Sequence, residues 1–180
     1  FTGVSEVRGS QYDDELTGGG AGRVGTGTAL EVFVGGAGND TIDGGAGWDY
    51  ASYGGSPSGV VIDLAAGTAQ DGWGFVDTLR NIEAITGSFF ADSMRGSAAD
   101  EAFAGREGAD FIDGGAGHDE VEFVYDLVAS GVTVRLGGWV GASGSLPAGY
   151  TGSASDNWGD IDVFRSIEGV EGSNYGDLIV

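Results

Sequence analysis

The sequence predicts an all-β fold, a parallel β-roll or β-solenoid in which tight glycine-rich turns alternate with very short strands. Three observations lead there. Residues 78–122 read without a gap as five nine-residue units: TLRNIEAIT, GSFFADSMR, GSAADEAFA, GREGADFID and GGAGHDEVE. Glycine supplies 38 of the 180 residues and proline only 2, which argues for turns rather than a collagen-like or Pro-rich disordered tract. Finally, a helix would carry its apolar face at spacings of three and four and a long strand at two. A period of nine with one large inward residue fits neither.

Within the units, position six is always acidic (Glu83, Asp92, Glu101, Asp110, Asp119) and position eight always apolar (Ile85, Met94, Phe103, Ile112, Val121). From the second unit onward, position one is Gly87, Gly96, Gly105 and Gly114. Alternate units lie on opposite sides of such a coil, so turn 87–92 faces 105–110 and turn 96–101 faces 114–119. Ile85, Phe103 and Val121 then stack along one inner sheet, and Met94 and Ile112 along the other. Phe111, at position seven, faces outward. Each pair of turns offers two carboxylates and several backbone carbonyls to a shared cation, because glycine admits the positive φ that turns carbonyls inward. Oxygen-only sets of this kind suit calcium, which takes six to eight such ligands. Without an ion the stacked carboxylates repel. Asp43 and Asp113, at position nine, should point away from the ion row.

The unit GGAGHDEVE and two earlier ones, GGAGNDTID (35–43) and GGAGWDYAS (44–52), match the pattern G-G-x-G-x-D-x-U-x. Several copies in register make the match specific. On these motifs the chain resembles the hemolysin-type calcium-binding (RTX) family of secreted bacterial proteins, over most of its length, with several degenerate copies. The resemblance implies several bound Ca2+ ions. The candidate acidic ligands are Asp14, Glu31, Asp40, Asp49, Glu83, Asp92, Glu101, Asp110, Asp119 and Asp177. The turn backbone at Gly36, Gly38, Gly45, Gly47, Gly108, Gly115 and Gly117 joins them.

A longer repeat sits above the nine-residue one. FTGVSEVRGSQYDDEL (1–16), LRNIEAITGSFFADSM (79–94) and FRSIEGVEGSNYGDLI (164–179) align without gaps, as do SGVVIDL (58–64) with SGVTVRL (130–136) and DGWGFVD (71–77) with DNWGDID (156–162). The expected organisation is a first repeat module at 1–78, a second at 79–163 and the opening turns of a third at 164–180. Copy one has an extra, poorly matched turn at 18–34, with Glu31 and Phe33 in the acidic and apolar slots. Copy two lengthens its loop at 137–155. The alternating segments GVVIDL and GVTVRL read as longer strands that continue or flank the coil. Phe1 begins inside a repeat and Val180 ends one, so the chain is expected to be a piece of a longer protein. The family's export signal typically lies at the far C-terminus, beyond such a piece.

Charge narrows the partners. Asp and Glu number 28 against 7 basic residues, all arginine, for a formal net charge of −21. Nucleic acid is excluded as a partner, since phosphate contacts need clustered basic residues, and an anionic membrane surface is equally disfavoured. No apolar run approaches a membrane span, and with no cysteine there are neither disulfides nor thiolate metal sites. Large core-formers come about once per turn, so the core is thin and bound ions must help to hold it.

The aromatics Trp48, Tyr50, Tyr53, Trp73, Phe75, Trp139, Tyr150 and Trp158 lie mainly in or beside the less regular segments. Covering the thin core is their expected role, and a polysaccharide-binding platform is the alternative. Asp71, Asp77, Asp156, Asp160 and Asp162 around them read either as further calcium ligands or as solvated turn carboxylates. Catalysis finds little support: His118 is the only histidine and occupies the variable fifth position of a turn, and no set of N/S ligands for zinc is present. The resemblance implies a secreted or cell-surface location and two settings: a structural extender of a surface or adhesin protein, or an accessory module beside a secreted protease, lipase or alginate epimerase.

Overall fold

The computed structural model describes residues 6–19, 30–123, 131–136, 152–155 and 159–180. Trp139, Tyr150, Asp156, Trp158, most of loop 137–155 and the middle of segment 18–34 lie outside them. The chain opens with β1 (Glu6–Arg8), β2 (Glu15–Thr17), β3 (Leu30–Val34), β4 (Thr41–Asp43) and β5 (Trp48–Ser52). A meander follows, made of β6 (Val61–Asp63), β7 (Thr68–Gln70) and β8 (Val76–Arg80). The regular coil then resumes with β9 (Ala84–Thr86), β10 (Ser93–Arg95), β11 (Ala102–Ala104), β12 (Phe111–Asp113) and β13 (Glu120–Glu122). A second meander of β14 (Thr133–Leu136), β15 (Gly152–Ser155) and β16 (Ile161–Arg165) leads to β17 (Gly169–Glu171) and β18 (Leu178–Ile179). No helix occurs among the described residues.

The strands are short because each occupies only what a nine-residue unit leaves after its turn. In three residues just one side chain points inward, since successive side chains alternate faces. Consecutive units feed opposite sheets. A seven-stranded sheet runs β1-β3-β5-β9-β11-β13-β17, and an eleven-stranded sheet runs β2-β4-β8-β7-β6-β10-β12-β16-β15-β14-β18. The expected register is the one observed: Ile85 pairs with Phe103 and Phe103 with Val121, while Met94 pairs with Ile112. Extended to both ends, the inner ladder of the smaller sheet is Val7, Phe33, Ala51, Ile85, Phe103, Val121 and Val170. Facing it, Leu16, Ile42 and Leu79 form one run of the larger sheet, and Ile62, Met94, Ile112 and Phe164 another. These side chains make up one continuous buried cluster, with Val7 and Val170 partly buried against it.

The alternating segments are strands, but short ones built into the larger sheet rather than long ones flanking the coil. β6 pairs parallel with β10, β8 pairs parallel with β4, and β7 runs antiparallel between β6 and β8. Ile62 and Ala69 are turned into the core. The strand run β4-β8-β7-β6-β10 recurs as β12-β16-β15-β14-β18. From β8 the chain crosses to β9 through Asn81, and from β16 to β17 through Ser166, at φ values of 49° and 51°. Positive φ is uncommon outside glycine and is best tolerated by small polar residues. Both residues occupy the same slot of the longer repeat.

Candidate metal centres

Position-six carboxylates line both flanks of the coil, and each clamps the turn beneath it. On the flank entering the larger sheet, Asp14 N–H donates to Asp40 Oδ1 at 2.9 Å and Asp40 N–H to Asp77 Oδ1 at 3.0 Å. Farther along, Asp92 N–H donates to Asp110 Oδ1 at 2.8 Å and Asp110 N–H to Asp162 Oδ1 at 3.0 Å. On the opposite flank, Glu31 N–H donates to Asp49 Oδ1 at 3.2 Å and Asp49 N–H to Glu83 Oε2 at 2.9 Å. Glu101 N–H donates to Asp119 Oδ1 at 2.9 Å, and Asp119 N–H to Glu168 Oε2 at 3.0 Å.

The second oxygen divides the turns into two kinds. In the turns with serine at position two, the serine closes onto the acid. Ser10 N–H donates to Asp14 at 2.6 Å, and the Ser88 N–H and hydroxyl both donate to Asp92 at 2.7 Å. Ser97 N–H donates to Glu101 at 3.1 Å, and the Ser173 hydroxyl to Asp177 at 2.6 Å. Each serine Oγ also accepts a backbone amide two residues on, from Tyr12, Phe90, Ala99 or Tyr175. In the Gly-Gly turns there is no such hydroxyl. The Oδ2 atoms of Asp40, Asp49 and Asp119 are buried there with no hydrogen-bond donor, on residues 0–1% exposed. A buried carboxylate oxygen left in this state is costly unless a cation meets it.

Glycine shapes the space around those oxygens. A side chain at Gly114 would run into Asp119 Oδ2, 2.6 Å from its Cβ, and into the Ser166 carbonyl. At Gly44 it would meet Asp49 Oδ2 at 2.9 Å and the Asn81 carbonyl. At Gly44 and Gly114, position one is therefore where a turn's own carboxylate and a carbonyl of the next coil converge. Positions two and four take positive φ at Gly36, Gly38, Gly45, Gly47, Gly115 and Gly117, and Gly108 does so in the turn 105–110. That turn carries Arg106 at position two with φ 75°, its guanidinium 4.0 Å from the centre of the Phe89 ring.

The electrostatics match this geometry. Burial pushes Asp49 up to about 6, with the charge of Glu83 adding to it. Burial raises Asp119 to about 6 as well, reinforced by Glu101 and Glu168. Asp77 reaches about 6 through burial and the charges of Asp40 and Asp71, and Asp40 and Asp92 are raised, burial being the main cause in each. These acids are uncomfortable as bare anions.

All the expected acidic positions thus fall on the two flanks: Asp14, Asp40, Asp92, Asp110 and Asp177 on one, Glu31, Asp49, Glu83, Glu101 and Asp119 on the other. They are not equivalent, because Asp14, Asp92, Glu101 and Asp177 are already held by their serines. Asp43 and Asp113 face away, Asp43 accepting from Asn81 Nδ2 at 2.7 Å and Asp113 pairing with Arg165 at 2.6 Å. Asp77 and Asp162, which the loops left open as ligands or solvated carboxylates, are buried rungs of the ladder. Glu168 is a rung missed in reading the sequence; the alignment of FRSIEG with LRNIEA already places it in the slot of Glu83. Tyr50 and Tyr53 are buried as expected, whereas Trp73 and Phe75 are 40% and 41% exposed and do not seal the core. Their loop bends outward around Asp71 instead.

No three His, Cys, Asp or Glu side chains come together in metal-binding geometry among the described residues. An ion held in these turns would draw on backbone carbonyls beside the carboxylates. A paired-carboxylate, carbonyl-rich set fits calcium, a hard cation of flexible coordination. The RTX calcium-binding nonapeptide repeat matches the chain at residues 26–55 and 95–122, in four copies. No curated protein matches it at a significant level. Over those residues the β-roll is similar to the RTX calcium-binding nonapeptide repeat, a repeat that binds Ca2+ at multiple sites.

Proposed function

We propose that this chain is a calcium-assembled structural segment of a secreted bacterial protein, folding when it meets calcium after export and serving as an extender in a surface or adhesin protein. The observation that carries the reading is the row of buried carboxylate oxygens without donors at Asp40, Asp49 and Asp119. Such a row disfavours the compact state where calcium is scarce and favours it where calcium is abundant. The principal ligands in this reading are Asp40, Asp49, Asp110 and Asp119, with the glycine carbonyls of their turns. The repeated strand run supports two tandem modules, 1–78 and 79–163, with a third opening at 164–180. In such an array each coil rests mainly on its neighbours, a geometry suited to spanning distance.

No catalytic role is assigned. RTX repeats are generally structural, and His118 is exposed with its backbone N–H given to Asp100. Small-angle scattering of the chain in calcium and in chelator tests the extender reading. An elongated, rigid particle in calcium that becomes an expanded coil in chelator is expected, and a particle of unchanged shape would count against it. The exposed Trp73 and Phe75 favour a second reading, an accessory polysaccharide-binding module attached to a secreted enzyme. Glycan binding that disappears in Trp73→Ala, with the calcium-loaded fold intact, would select it.

A further inference from the structure

Outside the nine-residue units, the first meander brings a second set of unmatched oxygens together. Asp71 is 0% exposed. Its Oδ1 accepts three backbone amides, from Trp73 at 2.9 Å, Gly74 at 3.0 Å and Phe75 at 2.9 Å, so the loop 71–75 is wrapped around that single atom. Its Oδ2 is buried and meets no donor. Ser56, 4% exposed, holds a hydroxyl in the same condition. The segments that carry them are packed together: a Cβ on Gly72, next to Asp71, would lie 3.1 Å from Ser56 Cβ and 2.6 Å from the Ser58 carbonyl oxygen. The Ser58 hydroxyl donates to the Gly72 carbonyl at 2.8 Å and ties the two segments together.

We propose that Asp71 and Ser56 form a further calcium site, outside the repeats, where the meander stacks on turn 35–40. A carboxylate oxygen and a hydroxyl, both sealed from water and both without partners, ask for a cation rather than a proton donor. The surroundings are anionic: Asp77, whose Oδ1 accepts the amide of Asp40, feels the charges of both Asp40 and Asp71. The Ser58 carbonyl oxygen beside Gly72 is a ligand of the kind calcium takes. The site would lock the meander to the coil, and so join the nine-residue turns on either side of it. It rests on the reading of this chain as calcium-assembled.

Native mass spectrometry of the whole chain in saturating calcium, with Asp71→Asn and Asp119→Asn beside it, decides the matter. Asparagine at 71 keeps Oδ1 for the three amides, so the loop persists while the charge at the site is lost. Asp71→Asn is expected to hold one calcium ion fewer than the parent, with an unchanged far-UV circular dichroism spectrum in calcium. Terbium luminescence excited through tryptophan should fall in Asp71→Asn, and in Trp73→Phe without any change in ion count. An Asp71→Asn chain with the parent's ion count and terbium signal overturns the proposal. Should that variant not fold, Ser56→Ala decides instead: a lost ion supports the site, and an unchanged count overturns it. Loss in Asp119→Asn alone leaves the repeat sites standing and removes this one. Full retention in both variants overturns this site and the ligand assignment of the repeats together.

Discussion

Asp92 and Asp110 stand eighteen residues apart in sequence and one coil apart in space, joined by the Asp92 amide donating to Asp110 Oδ1 at 2.8 Å. The bond does two things at once. It fixes the vertical register of the coil, and it uses one oxygen of Asp110 while orienting the carboxylate in its turn. Asp113, three residues on, spends its charge on Arg165 at the surface instead. Calorimetric titration of Asp110→Asn should therefore show a clear loss of calcium affinity. Asp113→Asn should remove only a partly exposed ion pair worth roughly 0–1 kcal/mol. Equal losses in the two variants would contradict the ligand assignment.

With so thin a core, folding is expected to depend on metal. In chelator the chain should be largely disordered, and in millimolar calcium β-rich, because an ion that binds only the native state adds its binding energy to folding. Magnesium should substitute poorly, since it demands octahedral geometry and dehydrates reluctantly. Far-UV circular dichroism in the three buffers checks this, and a fully folded spectrum in chelator would refute it.

Phe103 is 0% exposed in the ladder between Ile85 and Val121, whereas Phe111 is 42% exposed on the outer face. Phe103→Ala should cost roughly 3–5 kcal/mol, as expected for deleting a buried aromatic, and Phe111→Ala well under half of that. The calcium concentration at the folding midpoint reports both. A Phe111→Ala effect as large as that of Phe103→Ala would contradict the strand register.

Ser88 has no exposed surface and serves Asp92 twice while accepting the Phe90 amide. Ser88→Ala should cost about 1–3 kcal/mol, the range for leaving buried polar partners unsatisfied, seen as a higher calcium midpoint. Gln11→Ala, which removes one exposed hydrogen bond to Tyr12, should shift the midpoint much less. Equal shifts would mean that the serine-closed turns are not the built-in counterpart of the metal turns.

Acid should move the metal-free and calcium-loaded chains in opposite directions. Asp49, Asp77 and Asp119 are raised from 3.8 to about 6 in the metal-free fold. In that window the native state holds protons that the unfolded chain has released. Their contribution to metal-free stability is thus present below about 3.8 and lost as pH rises through about 6. Protons also compete with calcium for the same oxygens. Lowering the pH from about 7 to about 5 should raise the folded fraction in chelator and weaken calcium binding. A circular dichroism titration in chelator that stays flat across that interval would argue against the burial of these acids.

The nine-residue period carried the register by itself. One apolar residue per unit, with alternate units on opposite sheets, leaves a single arrangement in which Ile85, Phe103 and Val121 stack and Phe111 faces out. A one-residue slip would expose the whole ladder. The acidic position six was legible for the same reason, since every copy repeats it at a fixed offset from the buried residue. The meander was not legible. GVVIDL shows that a strand exists, but whether it pairs parallel with β10, and whether β7 turns back antiparallel beside it, depends on partners distant in sequence. Strand pairing is chosen by backbone hydrogen bonds that leave no periodic trace. The difference between Asp92, closed by Ser88, and Asp119, left open, rests on a hydroxyl whose reach only the folded turn defines. Likewise the segments carrying Asp71 and Ser56 meet only in the folded chain, because no repeat relates them and only the packed loop takes both oxygens out of water.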